Sequence, residues 1–424
     1  MDAKTDASQI EKITDLAWPE AGVVDSVPFG VFTDPATYEL EQERLFRPTW
    51  NFLALAAEIP ETGDFKSTFI GDTPVVVTRD SDGGIHAWVN RCAHRGAMVC
   101  REIRGNNSDG TFTCVYHQWA FDPKGDLIGV PFRRGLAGKG GYPEDFDMKD
   151  HGLQKVRVED YHGIIFGTFN EDLVDVEEYL GGDGDVTRLM KRILNRPLKV
   201  MGTTRQYMNS NWKIYAENTK DPYHASLLHL FHMTFGLYRS SQTGGVSLGD
   251  EWHSVLYSEA GTDNEETLKE TKSSDLRTYQ EGYTLHDPTL LAGRKEYDDG
   301  VTLVILSIMP SLVVQQIQNT LAVRQILPKG VDKFELIWTY FGYEDDDAEM
   351  DAIREKQFNL IGPSGLISME DGEACELVQK AIIRDADKHS VIQMSGRDFK
   401  DEAHLVTEAP IRSFWNRYRE LLDV

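Results

Sequence analysis

CAHRGAMVCREIRGNNSDGTFTCVYHQW, residues 92–119, carries two pairs of metal-ligand side chains. Cys92 and His94 form a Cys-x-His pair, Cys114 and His117 a Cys-x-x-His pair, with nineteen residues between them. Two thiolates and two imidazoles can hold zinc, or a 2Fe-2S cluster with both cysteines on one iron and both histidines on the other. A Cys₂His₂ zinc finger places its cysteine pair first and its histidine pair on a helix, an order absent here. The mixed pairs therefore predict a 2Fe-2S cluster held by Cys92, His94, Cys114 and His117, each pair in a tight loop between strands. Cys100 and Cys375 have no partner at ligand spacing and read as ordinary buried thiols.

Outward from this stretch the chain is rich in short β runs. Asn51 to Leu55, Phe65 to Ile70, Pro74 to Thr78 and Ile85 to Val89 precede it, and Val156 to Val158 and Gly163 to Phe169 follow. Gly71-Asp72 and Asp82-Gly83-Gly84 punctuate them as turns, so a small all-β domain is expected over 46–165. Residues 1–45 read as a lead-in with a short helix from Pro35 to Phe46. Gly105 to Gly110 reads as a turn-rich loop.

The second motif is Asp221-Pro222-Tyr223-His224-Ala225-Ser226-Leu227-Leu228-His229. Asp221 suits an N-cap and Pro222 a first helical residue, so a helix starts here. Its two histidines are five apart, about 140° around an α-helix, so they do not share a stripe. Either the helix is locally widened between them or His229 lies near its end. His229 and His232 share a face more naturally. Two histidines with one carboxylate suit an O₂-activating ferrous centre. The plain alternative is a helix whose histidines are core or surface groups. The carboxylate is expected in Met369-Glu370-Asp371-Gly372-Glu373, where acids also serve as helix caps. The residues alone leave Glu370, Asp371 and Glu373 open.

The remaining pattern describes a second domain over 166–424. Asp175 to Leu194 reads as a helix broken by Gly181-Gly182-Asp183-Gly184, and Val200 to Met208 as a strand. Residues 240–300 are polar, with no readable period. Strands return at 301–308, 312–317, 320–327 and 333–343 with short turns between them, which argues for an antiparallel sheet. Helices follow at Asp347 to Asn359, Ser368 to Asp385 and Ala409 to Leu422. The fold class is α+β: an N-terminal all-β domain and a C-terminal antiparallel-sheet-and-helix domain.

Composition narrows the function. The 424 residues are too many for one ordinary core, and 40% hydrophobic with 27% charged residues is a globular balance. A net charge of -25 argues against nucleic-acid binding and against an anionic membrane surface. The start, MDAKTDASQIEK, lacks the basic and apolar parts of a secretory signal, and the apolar run Val301 to Val314 is shorter than a membrane span. Four cysteines do not make a disulfide framework, so a reducing cytoplasm is expected.

The two motifs, in this order and with a sheet-rich C-terminal half, resemble the large (α) subunit of Rieske non-haem iron aromatic-ring-hydroxylating oxygenases. The resemblance spans about residues 25–420. It implies a Rieske domain over 46–165, a mononuclear iron catalytic domain over 166–424, and a lead-in, 1–45, packed with the catalytic domain. It implies a Rieske 2Fe-2S cluster on Cys92, His94, Cys114 and His117, and Fe(II) on His224, His229 and Asp371. Asp221 is then not a ligand but a bridge between His224 and His117 of the partner subunit. The nineteen-residue gap slightly exceeds the usual family gap. A homotrimer is implied, with or without a small β subunit. Electrons come from an NAD(P)H-dependent reductase, with or without a ferredoxin.

Val130 to Gly135, Lys220 to His229, Gln315 to Asn319 and Ala322 to Gln325 resemble the subgroup acting on aromatic carboxylates. Anthranilate 1,2-dioxygenation is the expected reaction, with salicylate 5-hydroxylation or terephthalate 1,2-dioxygenation as alternatives. A demethylating or dehydrogenating oxygenase would use the same metals. A non-catalytic electron-transfer protein would use only residues 50–170. A carboxylate substrate needs a cation, and arginine is the planar, bidentate choice. Arg324 is the candidate, because apolar Leu321, Val323 and Leu327 take the other face of its strand. The alternative is an arginine on a solvated sheet face. Arg397 and Arg277 are weaker candidates.

Overall fold

The computed structural model describes residues 16–20, 22–249, 252–263, 265–266, 268–269 and 276–424. It divides into two compact units: Phe46–Val176 is one, and the segment ending at Leu45 joins Glu177–Val424 in the other.

Phe46–Val176 is built on a seven-stranded antiparallel sheet. In spatial order its strands are Asn51–Leu55, Ile164–Thr168, Lys155–Tyr161, Ile85–Val89, Thr73–Arg79, Asp64–Ile70 and Arg104–Asn106. The β-branched run Val75-Val76-Val77 is fully buried, as its stiff side chains favour on a pleated surface. A three-stranded sheet, Phe112–Thr113, Ala120–Phe121 and Leu127–Gly129, packs beside it. One core joins the two sheets: Trp88, Phe112, Trp119 and Phe121 are buried with Cys92 and Cys114 among them. Removing each such aromatic from water contributes roughly 1.5–3 kcal/mol. Part of the expected loop at Gly105 to Gly110 is instead edge strand. Gly105 presses on Phe65, where a Cβ would come within 2.9 Å of the ring. A short, polar, exposed strand of this kind has no apolar alternation by which to read it.

The other unit also centres on a seven-stranded antiparallel sheet. The order is Leu198–Met208, Lys333–Tyr343, Thr320–Gly330, Leu312–Ile317, Leu303–Ile308, His253–Ser258 and Gly244–Gly249. Leu303–Ile308 and Leu312–Ile317 are buried along their whole length, so both faces are covered. The last hairpin falls in the stretch that sequence alone left unread. Its Gly244 and Gly245 lie where a Cβ would strike the Tyr257 and Glu402 carbonyls, and these glycines hide the strand period. Helices Ala348–Ile361, Leu366–Ile382 and Ala409–Leu422 complete the unit. Among the described residues, no helix is long and apolar enough to cross a membrane.

The lead-in is stitched to this unit. Ser26–Pro28 pairs with His389–Val391. Asp34 caps the helix Pro35–Glu41, which ends in a wider π-type turn, Gln42–Phe46, rather than continuing as one regular helix. Behind it lies a fully buried charge cluster. Lys213 Nζ lies 2.6 Å from Glu41 Oε1, and Trp212 Nε1 donates to Glu41 Oε2 at 2.8 Å. The Tyr418 hydroxyl, from the last helix, also donates to Glu41. Burial lowers the Lys213 ammonium from its usual range, with Glu41 opposing. Breaking one partner leaves an uncompensated buried charge. Glu41→Ala should therefore cost about 3–5 kcal/mol in urea unfolding, and Glu41→Leu with Lys213→Met should recover most of it. A loss below about 1 kcal/mol for the single variant would contradict this reading.

Candidate metal centre and substrate pocket

The second motif folds as a broken helix. Asp221 Oδ1 accepts from Tyr223 N at 2.8 Å and His224 N at 3.3 Å, and Pro222 opens the helix Pro222–Leu228. His229 leaves it with φ -92° and ψ 110°, then caps the next helix, Leu230–Phe235. Of the two geometries open from sequence, His229 therefore lies at the helix end. The break brings its ring to 5.3 Å from that of His224, between centroids.

The helix Leu366–Ile382 carries Asp371 to the same point. One ligand atom each of His224, His229 and Asp371 lie within 4.8 Å of one another. Asp371 Oδ1 is 3.4 Å from His224 Nε2 and 3.2 Å from His229 Nε2. Asn218 Nδ2 donates to the same Asp371 oxygen at 2.9 Å. The other ring nitrogens face carboxylates: His224 Nδ1 is 3.4 Å from Asp221 Oδ2, and His229 Nδ1 is 2.8 Å from Glu370 Oε2. Glu370 holding the His229 Nδ1–H leaves that Nε2 lone pair directed inward, as a metal-bound imidazole requires, while Asp221 places a negative charge beside His224 Nδ1. Glu370, one of the three acids left open, thus sits behind His229, while Glu373 is exposed.

The electrostatics favour a cation at this point. Burial disfavours charge on His224, yet Asp221 and Asp371 outweigh it and raise the imidazole to about 10. Burial likewise opposes charge on His229, and Asp371 and Glu370 raise it. Burial alone would raise the Asp371 carboxyl, but the two imidazoles hold it well below the usual carboxylate range. A field that draws protons onto both imidazoles also draws a divalent ion, and two nitrogens with one carboxylate oxygen fit iron.

In the Phe46–Val176 unit the two ligand loops share one design. Gly96 N donates to Cys92 O at 2.9 Å, and Gln118 N to Cys114 O at 2.9 Å. The fifth residue of each loop, Gly96 or Gln118, turns left-handed, with φ 75° and 55°. The loops bring the His94 and His117 rings to 4.6 Å, and His94 stacks on Trp119 at 4.9 Å. Cys92 and Cys114 are buried side by side, and burial together with Cys114 raises the Cys92 thiol. Two inward thiols opposite two paired imidazoles suit a cluster ligated unequally at its two irons.

A small cavity adjoins the metal set, with ≈ 50 Å³ open to the centre of a water molecule. Leu256, Leu303, Ile305, Ile317 and Ile367 give it apolar walls, and Arg324 and His232 line it with the three candidate ligands. Arg324 is buried rather than solvated. Its Nε donates to Gln315 Oε1 at 2.6 Å and its Nη1 to the Tyr215 hydroxyl at 3.0 Å, and the guanidinium lies 4.3 Å from the Trp338 ring centroid. Among the described residues no carboxylate forms an ion pair with it. Arg397 and Arg277 are exposed and do not line the cavity, and Arg397 pairs with Asp25 at 3.1 Å. A larger cleft, ≈ 360 Å³, includes Gln316 and Gln318 and none of the metal set. Sequence reasoning missed Glu370 as a partner of His229, as well as Asn218, Gln315 and Tyr215. None carries a spacing signal, because each is defined only by what lies opposite it.

Residues 49–139 match the model of the Rieske 2Fe-2S domain, and residues 195–423 that of the ring hydroxylating alpha subunit catalytic domain. The chain belongs to the Rieske ring-hydroxylating oxygenase α subunits. The oxygenase is 53% identical to the anthranilate 1,2-dioxygenase large subunit of Burkholderia cepacia, covering 93% of each chain. It is 47% identical to a terephthalate 1,2-dioxygenase terminal oxygenase α subunit of Comamonas sp., over 93% of this chain and 94% of that one. It is 40% identical to the salicylate 5-hydroxylase large oxygenase component of Ralstonia sp., over 96% of each. Naphthalene 1,2-dioxygenase from Rhodococcus sp. shares the fold, with a TM-score of 0.75 at 23% identity over 94% of each chain. The oxygenase is an oxidoreductase fed through a reductase, and its two domains imply a Rieske 2Fe-2S cluster and a mononuclear iron. The non-catalytic electron-transfer alternative falls, because the catalytic-domain match covers residues 195–423.

Separate centres should be separable by mutation. Asp371→Ala should lower mononuclear iron at least about tenfold while the visible spectrum of the cluster and its acid-labile sulfide persist. Unchanged iron content would remove Asp371 from the ligand set.

Proposed function

We propose that the oxygenase hydroxylates a single aromatic ring bearing a carboxylate, with anthranilate 1,2-dioxygenation the reaction best supported. The observation that carries this reading is Arg324, a buried guanidinium with no acid partner among the described residues, lining the same cavity as His224, His229 and Asp371. A buried cation is costly unless paired, so a carboxylate entering the cavity meets a receptor already in place. Gln315 and Tyr215 hold the guanidinium in one orientation, which lowers the ordering cost of binding. Arg324 is the one lysine or arginine among the described lining residues, which fits one carboxylate better than the two of terephthalate. The 53% identity to an anthranilate dioxygenase supports the same ring.

The ligand assignments follow the same geometry. His224, His229 and Asp371 would hold the iron, and Cys92, His94, Cys114 and His117 the cluster. When bound, the two groups supply O₂ activation and single-electron delivery respectively. The chain's own residues do the rest. Arg324 anchors the carboxylate, the Leu256, Leu303, Ile305 and Ile317 walls exclude water and pack on the ring, and Glu370 holds the His229 proton at Nδ1. Asp221 and His224 stay partly accessible, and His117 is exposed in its own unit. We assign Asp221 as the bridge from His224 to His117 of the partner subunit in a homotrimer, with or without a β subunit. A cytoplasmic reductase, directly or through a ferredoxin, would supply the electrons.

Arg324→Leu should raise the Kd for anthranilate about 10–100-fold in anaerobic calorimetry with iron content unchanged. An unchanged Kd would overturn the carboxylate reading. Single turnover under labelled O₂ then reports the reaction, with two labelled atoms in the product for dioxygenation and one for monohydroxylation. Asp221→Asn keeps an oxygen to cap the helix but removes the charge. It should retain both metal centres and lower turnover at least about tenfold. Full turnover in that variant would remove the bridging role.

A further inference from the structure

His232 lines the same cavity and has no part in metal or carboxylate binding as proposed. It lies one turn beyond His229 in the helix Leu230–Phe235, buried, with its ring 5.0 Å from and nearly perpendicular to that of His229. Its Nδ1 is buried without a hydrogen-bond partner among the described residues. Its polar neighbours have partners of their own. Glu370 is held by His229 Nδ1, Asp371 by both metal-side imidazoles and Asn218, and the Tyr238 hydroxyl donates to Pro222 O at 2.9 Å. An imidazole always carries at least one N–H, and this one lines a cavity whose walls include Leu256, Leu303, Ile305, Ile317 and Ile367. A buried polar group without a partner calls for an explanation, and in a group that lines the cavity beside the metal set a bound molecule can supply the partner.

We propose that His232 is a specificity-determining residue: it hydrogen-bonds a small neutral substituent, amino or hydroxyl, next to the substrate's carboxylate. The inference rests on the carboxylate reading and extends it to a second contact. Arg324 and His232 line one cavity with only ≈ 50 Å³ open to the centre of a water molecule, so the two groups they meet must be close together on one ring. The second group is neutral because a second buried anion would need its own cation, and Arg324 is the one lysine or arginine among the described lining residues. A site that hydrogen-bonds such a group rejects the analogue lacking it, since the site's own polar atom is then left unpaired.

The test is anaerobic calorimetry on the iron-loaded holoenzyme with 2-aminobenzoate, 2-hydroxybenzoate, 2-methylbenzoate and aniline. Wild-type protein should bind the amino and hydroxy acids at least about tenfold tighter than the methyl acid, which has similar shape and no hydrogen bond. His232→Leu should remove that difference while leaving the Kd for 2-methylbenzoate within about twofold, and His232→Gln, which keeps an N–H, should restore part of it. Equal weakening of all three acids in His232→Leu would show that the ring merely packs behind His229 and would overturn the proposal. Wild-type protein that binds the methyl acid as tightly as the others would also overturn it, with no need for the variant to fold. Aniline binding as tightly as 2-aminobenzoate would overturn the carboxylate reading, and this proposal with it.

Discussion

Two carboxylates, Asp221 and Glu370, flank the Nδ1 edges of two histidines, and the rest of the catalytic unit depends on that constraint. With Asp221 3.4 Å from His224 Nδ1 and Glu370 hydrogen-bonded to His229 Nδ1 at 2.8 Å, both Nε2 atoms converge on Asp371. A neutral imidazole offers one lone pair, and which nitrogen carries it is set by the partner of the other. Asp221 also caps its own helix, so one side chain sets where the helix begins and places a negative charge beside its first histidine. The break at His229 serves the same end. A regular helix would leave the two rings about 140° apart, and extended dihedrals at one residue bring them together.

The sheet supplies the contrast that the metal set needs. Its inward face over the centre is leucine and isoleucine, which keeps water scarce and the local dielectric low. In such a wall, one guanidinium and one unpartnered imidazole stand out. Arg324 is held by Gln315 on the neighbouring strand and Tyr215 on the helix before the metal motif, so its place depends on three chain segments at once. A charge in that setting is fixed in position and little screened, and it acts on whatever ring enters.

The parts of the site that were legible beforehand are those written at close spacing. Cys92, His94, Cys114 and His117 sit in two tight loops, each a local turn closed by its own backbone hydrogen bond. His224 and His229 lie in one short segment with an N-cap signal in front. Strands such as Ile85–Val89, Leu312–Ile317 and Lys333–Tyr343 emerged because burial imposes a clear apolar pattern. The strand Arg104–Asn106 and the hairpin Gly244–Ser258 did not, because exposed polar residues and close-packed glycines erase that pattern.

The sequence by itself determined the chemistry on offer: two thiol–imidazole pairs, a histidine pair behind a helix cap, and an α+β chain of two domains. Ligand type and local turns are properties of neighbouring residues, and short spacing records them. Only the tertiary structure decided which of Glu370, Asp371 and Glu373 meets the histidines, since all three share one helical stretch and differ only in the face they present. It alone put Arg324 and His232 in one cavity with that centre, more than ninety positions apart in the chain. Contacts of that separation arise when a sheet and three helices close on a common core, and no local pattern records them.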